Sequence, residues 1–188
     1  MRNFLIIVLL IPFFGCEKNY IPKPVGYNRI DLPEKNYLML PDTLPYQFEY
    51  SQMAQLVRDS SWIAERYWIE LVYDYFDASI QITYKPVNQQ EDSLRGYLAD
   101  AFKLTNKHQI KAYAIDENFY KTQNGYLAMT ASLSGEVPSQ YQFVATDSLN
   151  HFLRGALYFK TAVRNDSLRP SIEYIKEDID HLLKTLEF

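Results

Sequence analysis

Cys16 is the only cysteine in a chain of 188 residues, and it closes a short apolar leader over residues 1–16 (MRNFLIIVLLIPFFGC). Arg2 gives the leader a positive start. Residues 4–14 form an unbroken apolar run of eleven. A membrane-spanning helix needs about 20 apolar residues. The run is too short to cross, and it has the length of the apolar core of a secretory signal. Gly15 directly before Cys16 is the pattern at which a bacterial signal is cut once the cysteine thiol carries a diacylglyceryl group. The leader therefore predicts a signal peptide over 1–15 and lipid attachment at Cys16. A leader cut at another small residue, with Cys16 incidental, and a cytosolic helix are the alternatives, and Phe13-Phe14 departs from the Leu and small residue common in such signals.

The position of that cysteine constrains folding. Beyond residue 16 there is no thiol, so the domain has no disulfide and no cysteine metal site. After the first fifteen residues are removed, 173 of the 188 remain. They must be held by a hydrophobic core alone, and that length suits one domain. Two or three acyl chains at ~0.8 kcal/mol per buried methylene would tie such a domain firmly to a bilayer.

Removing Arg2 leaves 18 basic residues against 23 acidic ones. A mildly acidic chain without a basic stripe excludes a nucleic-acid partner, whose phosphates need clustered Lys and Arg. Aromatic residues are abundant, with 16 Tyr, 11 Phe, Trp62 and Trp68. Two readings are open. Tyr can fill half-buried strand positions, or the rings can form a sugar- or peptide-binding face. Their spread through strand-like runs favours the first.

Residues 16–45 hold Pro22, Pro24, Pro33, Pro41 and Pro45. Proline blocks both helix and central strand, so an extended arm is expected. Tyr27, Ile30, Leu32, Tyr37 and Leu38 are too apolar for a free linker, and part of the arm should lie against the domain at 46–188. Within that domain, 46–51 (YQFEYS) alternates with period two, as a strand does. Residues 53–60 suit a helical turn or a short continuation. Residues 68–73 (WIELVY) and 79–85 (SIQITYK) read as an antiparallel hairpin. Asn88 and Glu91 have capping-box spacing, and Leu94, Tyr97, Leu98, Ala101, Phe102 and Thr105 then mark an amphipathic helix over 89–107.

Residues 111–118 are ambiguous, with strand character. Asn124-Gly125 signals a turn, and strands at 126–133, 140–146 and 151–161 form an antiparallel meander. Residues 134–139 are read as a loop. Asp166 or Ser167 caps a final helix, with Pro170 in its first turn. Ile172, Ile175, Ile179, Leu182, Leu183 and Leu186 give that helix one continuous apolar face. Glu173, Lys176, Glu177, Asp180 and Lys184 lie opposite. The whole predicts an α+β domain: a mostly antiparallel sheet of six or seven strands packed by a middle helix and a C-terminal amphipathic helix. This order resembles the Mog1/PsbP-like fold.

Nothing in the sequence makes a positive case for an enzyme. His108, His151 and His181 have no second ligand at metal spacing and read as surface or cap residues. The carboxylate neighbours Asp116-Glu117 and Glu91-Asp92 point apart and read as solvated charge. Ser132, Ser134 and Ser139 lack a nucleophile elbow, and no phosphate or dinucleotide loop is present. No cofactor or metal is expected.

Several segments together resemble the gliding-motility lipoprotein GldD family of the Bacteroidetes. They are 22–27 (PKPVGY) with Arg29 and 32–33 (LP), 46–50 (YQFEY), 68–71 (WIEL), and 84–88 (YKPVN). Further on come 104–105 (LT) to His108 with 110–112 (IKA), 135–145 (GEVPSQYQFVA), 146–148 (TDS), 151–159 (HFLRGALYF), and 166–168 (DSL) onward. Residues 62–67 (WIAERY) depart from the family pattern, where a more turn-like stretch is expected. The resemblance implies a membrane-anchored accessory of gliding motility and type IX protein secretion, acting through contacts with other proteins of that machinery. It carries no catalytic motif over, only the lipidated Cys16.

The acid-poor stretch after Cys16 points to the periplasmic side, and the outer membrane is favoured over the inner. The expected partner surface is the loop with Ser134, Gly135, Glu136, Pro138 and Gln140, or the Pro-rich arm, because loops on a rigid scaffold commonly carry function. A competing reading is a module that binds a lipid, glycan or peptidoglycan fragment in a Tyr-lined cleft.

Overall fold

A computed structural model describes residues 30–108, 111–160 and 165–188, with side chains of the last helix from Leu168 onward. The leader, Cys16, residues 17–29 and the side-chain cap expected at Asp166 or Ser167 lie outside the described residues.

Among the described residues, nine strands and two α-helices follow in order: β1 (Tyr37–Met39), β2 (Glu49–Ser51), β3 (Gln55–Arg58), β4 (Ile69–Tyr73), β5 (Ala78–Pro86), α1 (Glu91–Asn106), β6 (Ala112–Lys121), β7 (Leu127–Gly135), β8 (Ser139–Thr146), β9 (His151–Phe159) and α2 (Asn165–Thr185). Seven strands form one sheet in the order β3-β4-β5-β9-β8-β7-β6, and every pairing in it is antiparallel. The expected α+β class with a mostly antiparallel sheet is what the chain adopts.

Two hairpin-built halves meet where β5 pairs with β9 along its full length, from Ala78↔Phe159 to Pro86↔His151. The period-two pattern of β5 explains the layering. Ile80, Ile82 and Tyr84 are buried on one face, opposite Gln81, Thr83 and Lys85. That face meets α2, whose Ile175, Ile179, Leu182 and Leu183 are 0–1 % exposed, and the fully buried Leu186 just past the helix end. Tyr46, Phe48, Leu71, Tyr73, Phe143 and Leu153 complete the main core. The opposite face carries α1, which sets Leu94, Tyr97, Leu98, Ala101 and Phe102 on Met129, Val144 and Phe152.

Of the two readings open for residues 53–60, the structure gives no helical turn: residues 55–58 form the edge strand β3. Three local expectations need correction. The strand expected at 46–51 is confined to Glu49–Ser51, because Gln47 instead bridges the chain end at Glu187. The capping box of Asn88 and Glu91 does not form. Asn88 and Gln89 take left-handed backbone angles (φ 53° and 60°), since Val87 and Gln89 donate to carbonyls of the β8–β9 turn. Helix α1 therefore starts at Glu91 after an uncapped Gln90. Lastly, β7 runs on through Gly135, which shortens the expected loop to residues 136–138. The apolar part of the arm does lie on the domain. Its strand β1 pairs with β2, from Tyr37↔Ser51 to Met39↔Glu49, and Leu40 is 2 % exposed.

Candidate functional site

The β7–β8 hairpin is held by its own buried residues. Gly135 sits at φ +119°, and a Cβ there would stand 2.6 Å from the carbonyl of Lys111. Only glycine closes the hairpin against β6 in that conformation. Val137 is fully buried with Ala131 and Leu133, and Gln140 Nε2 donates to the Val137 carbonyl at 2.8 Å. The tip is thus a rigid three-residue turn. Ser134, Glu136 and Pro138 face solvent and Gly135 is half-buried. Gln140, at 3 % exposure, lies beneath the surface the other four make.

Between this hairpin and the first half of α2 runs a polar cleft of about 340 Å³. Ser132, Ser134, Gln140, Arg169, Glu173 and Lys176 line it. Lys176 Nζ lies 3.3 Å from both Ser132 Oγ and Glu173 Oε1. Ser139, one of the three serines of this region, is wholly buried. The arrangement presents hydroxyls, an amide and charges of both signs. That suits polar contact with a protein segment more than any acid–base chemistry.

The histidines are better placed than surface caps. His181 Nε2 lies 2.6 Å from Glu49 Oε2, and its ring stacks on Tyr37 at 3.7 Å. His151 Nδ1 meets the Tyr84 hydroxyl at 2.9 Å and stacks on Phe188. Asp116, Glu117, Glu91 and Asp92 are exposed. Among the described residues, no three His, Cys, Asp or Glu side chains converge as metal ligands. Nor is any described helix long and apolar enough to cross a membrane.

One residue that the sequence places nowhere in particular organises the arm. Asp178 on α2 is 2 % exposed. It accepts from Lys35 Nζ at 2.7 Å, Tyr37 Oη at 3.1 Å and Tyr73 Oη at 3.1 Å. Lys35 also donates to the Tyr174 carbonyl at 2.5 Å and lies 3.3 Å from the centre of that ring. Burial, and then the Asp178 charge, push the phenol pKa values of Tyr37 and Tyr73 well above their ordinary value. Both rings stay neutral and keep donating. The clamp fastens strand β1 to the helix that carries the core.

Turn chemistry is equally local at the β8–β9 connection. Asp147 Oδ1 accepts from the backbone N–H groups of Leu149, Asn150 and His151 at 2.8–3.0 Å. Partial burial raises the carboxyl pKa, but these three donors outweigh it and hold it below its ordinary value.

Most buried tyrosines fill the core rather than gather in one cleft, although Tyr67, Tyr97, Tyr120 and Tyr141 each reach a pocket wall. Tyr46, Tyr73, Tyr84, Tyr141 and Tyr174 belong to the main core. Two troughs do flank α1 on the opposite sheet face. One of about 460 Å³ runs between α1 and strands β6–β7 and is lined mainly by Leu, Phe, Met and Val. The other, about 450 Å³, lies toward β4–β5, with Trp68, Tyr97, Leu104 and Phe152 beside Lys85, Asp100 and Arg154. The 62–67 stretch is turn-like, closed by N–H groups of Ala64 and Trp68 donating to Ser61 and Glu65. It leaves Trp62 96 % exposed.

A family model described as gliding motility lipoprotein GldD matches residues 17–188. The chain belongs to that family. It is a gliding-motility lipoprotein of the cell envelope. In this GldD-family chain several of the segments behind the resemblance fall in the seven-stranded sheet, while 46–50 lead into β2, 104–106 end α1, 166–168 belong to α2 and 22–27 lie outside the described residues. Residues 68–71 and 84–88 lie at the start of β4 and the end of β5, 135–145 cover the rigid hairpin and β8, and 151–159 are β9 itself. No curated protein matches the chain significantly. Among solved structures, it is similar to the solution structure of cyanobacterial PsbP from Synechocystis, at 12 % identity and a TM-score of 0.46. That likeness covers 82 % of this chain and 97 % of the other.

Proposed function

We propose that the chain is a membrane-anchored accessory of gliding motility and type IX protein secretion that works by protein–protein contact. A diacylglyceryl group on Cys16 holds it at the outer membrane, facing the periplasm. The observation that carries the reading is the family match, which begins at Glu17, next to Cys16, and runs to the end of the chain. Residues 1–15 act as signal peptide, the part of the arm before the clamped residues spaces the domain from the bilayer, and residues from 46 onward, with β1 fastened to them, form the working domain. Partners in the motility and secretion machinery are engaged by Ser134, Gly135, Glu136 and Pro138, with Gln140 fixing the turn from below. Supporting that choice, a rigid exposed turn loses little conformational entropy when it docks.

Substitutions at the tip test it. Glu136→Lys together with Pro138→Ser alters the exposed turn and leaves Gly135, Val137 and Gln140 in place. Cells carrying this form are expected to make normal amounts of folded protein and to lose spreading by roughly tenfold or more, the effect of truncating one or two central contacts. Wild-type spreading at normal protein level would remove the hairpin from the partner surface.

A further inference from the structure

We propose that the trough between α1 and strands β6–β7 binds the carboxyl-proximal part of the alkyl chain of a long-chain fatty acid, with its carboxylate at Lys121. The inference is independent of the assembly role.

The trough is ordered by strand register. Its floor is the row Phe119↔Met129↔Val144, and the next row outward is Lys121↔Leu127↔Thr146. Successive odd or even positions share a sheet face, so these rows lie on the side that α1 covers. The helix supplies the wall with Leu94, Leu98 and Phe102, at i, i+4 and i+8. Phe102 and Phe119 face each other across it, ring centres 6.4 Å apart. Phe119 and Leu127 remain 62 % and 48 % exposed, because one helix is too narrow to cover a sheet of seven strands.

Dimensions choose the occupant. Leu94 and Phe102 are separated by about 12 Å along the helix axis. Spread over that length, about 460 Å³ leaves a cross-section of roughly 40 Å², about half of what a helix of ~10 Å diameter fills. A second helix does not fit. A peptide strand fits in width, but on the side it buries its N–H and C=O groups would meet walls of Leu, Phe, Met and Val that offer no partner. An alkyl chain has no such groups. Charge sets its direction. Lys121 is exposed at the outer row and has no ion pair among the described residues. The neighbouring Thr146 hydroxyl is already engaged with His151 and Ser148, so Lys121 is the anion partner at that end.

The full-length protein in detergent micelles is irradiated with a long-chain fatty acid bearing a diazirine on its alkyl chain, then digested and mapped. Label is expected on peptides of α1, β6 and β7. Phe119→Asp, on a side chain already mostly exposed, lowers it roughly tenfold. Lys121→Glu lowers it about threefold, and the methyl ester of the probe loses that dependence. Tyr113→Asp, on the same strand but outside the trough, leaves labelling unchanged. Equal labelling of wild type and Phe119→Asp overturns the proposal. So does a trough that labels with a diazirine phospholipid in preference to the fatty acid, or one occupied by a co-purifying protein segment.

Discussion

Asp178→Ala is expected to destabilise the domain by about 3–5 kcal/mol, the loss typical of breaking a buried charged network from one side. Three donors lose their acceptor together: Lys35, Tyr37 and Tyr73. Tyr73 is the most deeply buried of the three, with its ring 1 % exposed, and it keeps only the Ser51 hydroxyl as a partner; an under-satisfied buried group costs about 1–3 kcal/mol. The midpoint of thermal unfolding should fall by about 10 °C for a domain of this size. Asp178→Asn keeps one acceptor and should lose about half as much. Lys35→Met leaves the Asp178 carboxylate buried without its cation and held only by two tyrosine hydroxyls, and it should also cost about 3 kcal/mol. If both Asp178→Ala and Lys35→Met cost under about 1 kcal/mol, the clamp is a surface ion pair and the account of the arm is wrong.

Gly155→Ala should be almost as severe. Gly155 sits in the middle of β9, paired with Phe143 on β8. A Cβ on it would overlap Cε1 and Cζ of the Phe143 ring and stand 2.9 Å from Cδ1. Phe143 is fully buried, so its ring has nowhere to swing. Overpacking of this kind costs about 3 kcal/mol, the upper end of the usual range. The glycine is there to let an aromatic ring lie flat across the sheet. Phe143→Leu alone should be destabilising through lost packing, but the double variant should be more stable than the sum of the two predicts, since the pair is in contact. Denaturant melts of the four proteins give the coupling directly. Strict additivity would mean that the ring and the glycine do not meet.

What the sequence reveals and what it hides divides along the range of the interactions. The α2 stripe is legible because helical periodicity is a local property, and its five apolar positions, with Leu186 just past the helix end, are 8 % exposed or less. The β4–β5 hairpin is legible for the same reason, and so is the meander after it. Asp178 is not. It lies between Ile175 and Ile179 and looks like one more charge of the polar face. Its burial comes from Lys35 and Tyr73, which are more than a hundred residues away. The capping box failed because carbonyls of the β8–β9 turn claim the backbone before α1. The strand β3 was hidden since its Gln55–Arg58 run is mostly exposed at a sheet edge.

The hairpin behaves in an intermediate way. Gly135 and Pro138 mark a turn in sequence, yet the burial of Gln140 follows from Val137 folding under the tip. The troughs beside α1 could not be foreseen at all. They arise from the mismatch between one 16-residue helix and a seven-stranded sheet, and neither element announces the width of the other.

The central claim, an anchored accessory of motility and secretion, is tested most directly by a clean deletion in the host, scored for cell spreading and for secreted cargo. The deletion is complemented with wild type or with Cys16→Ala. The account predicts that both phenotypes fail on deletion and that wild type restores them. Cys16→Ala should not restore them, although the protein accumulates. Spreading and secretion that survive deletion, or full rescue by the form that cannot be lipidated, would contradict it.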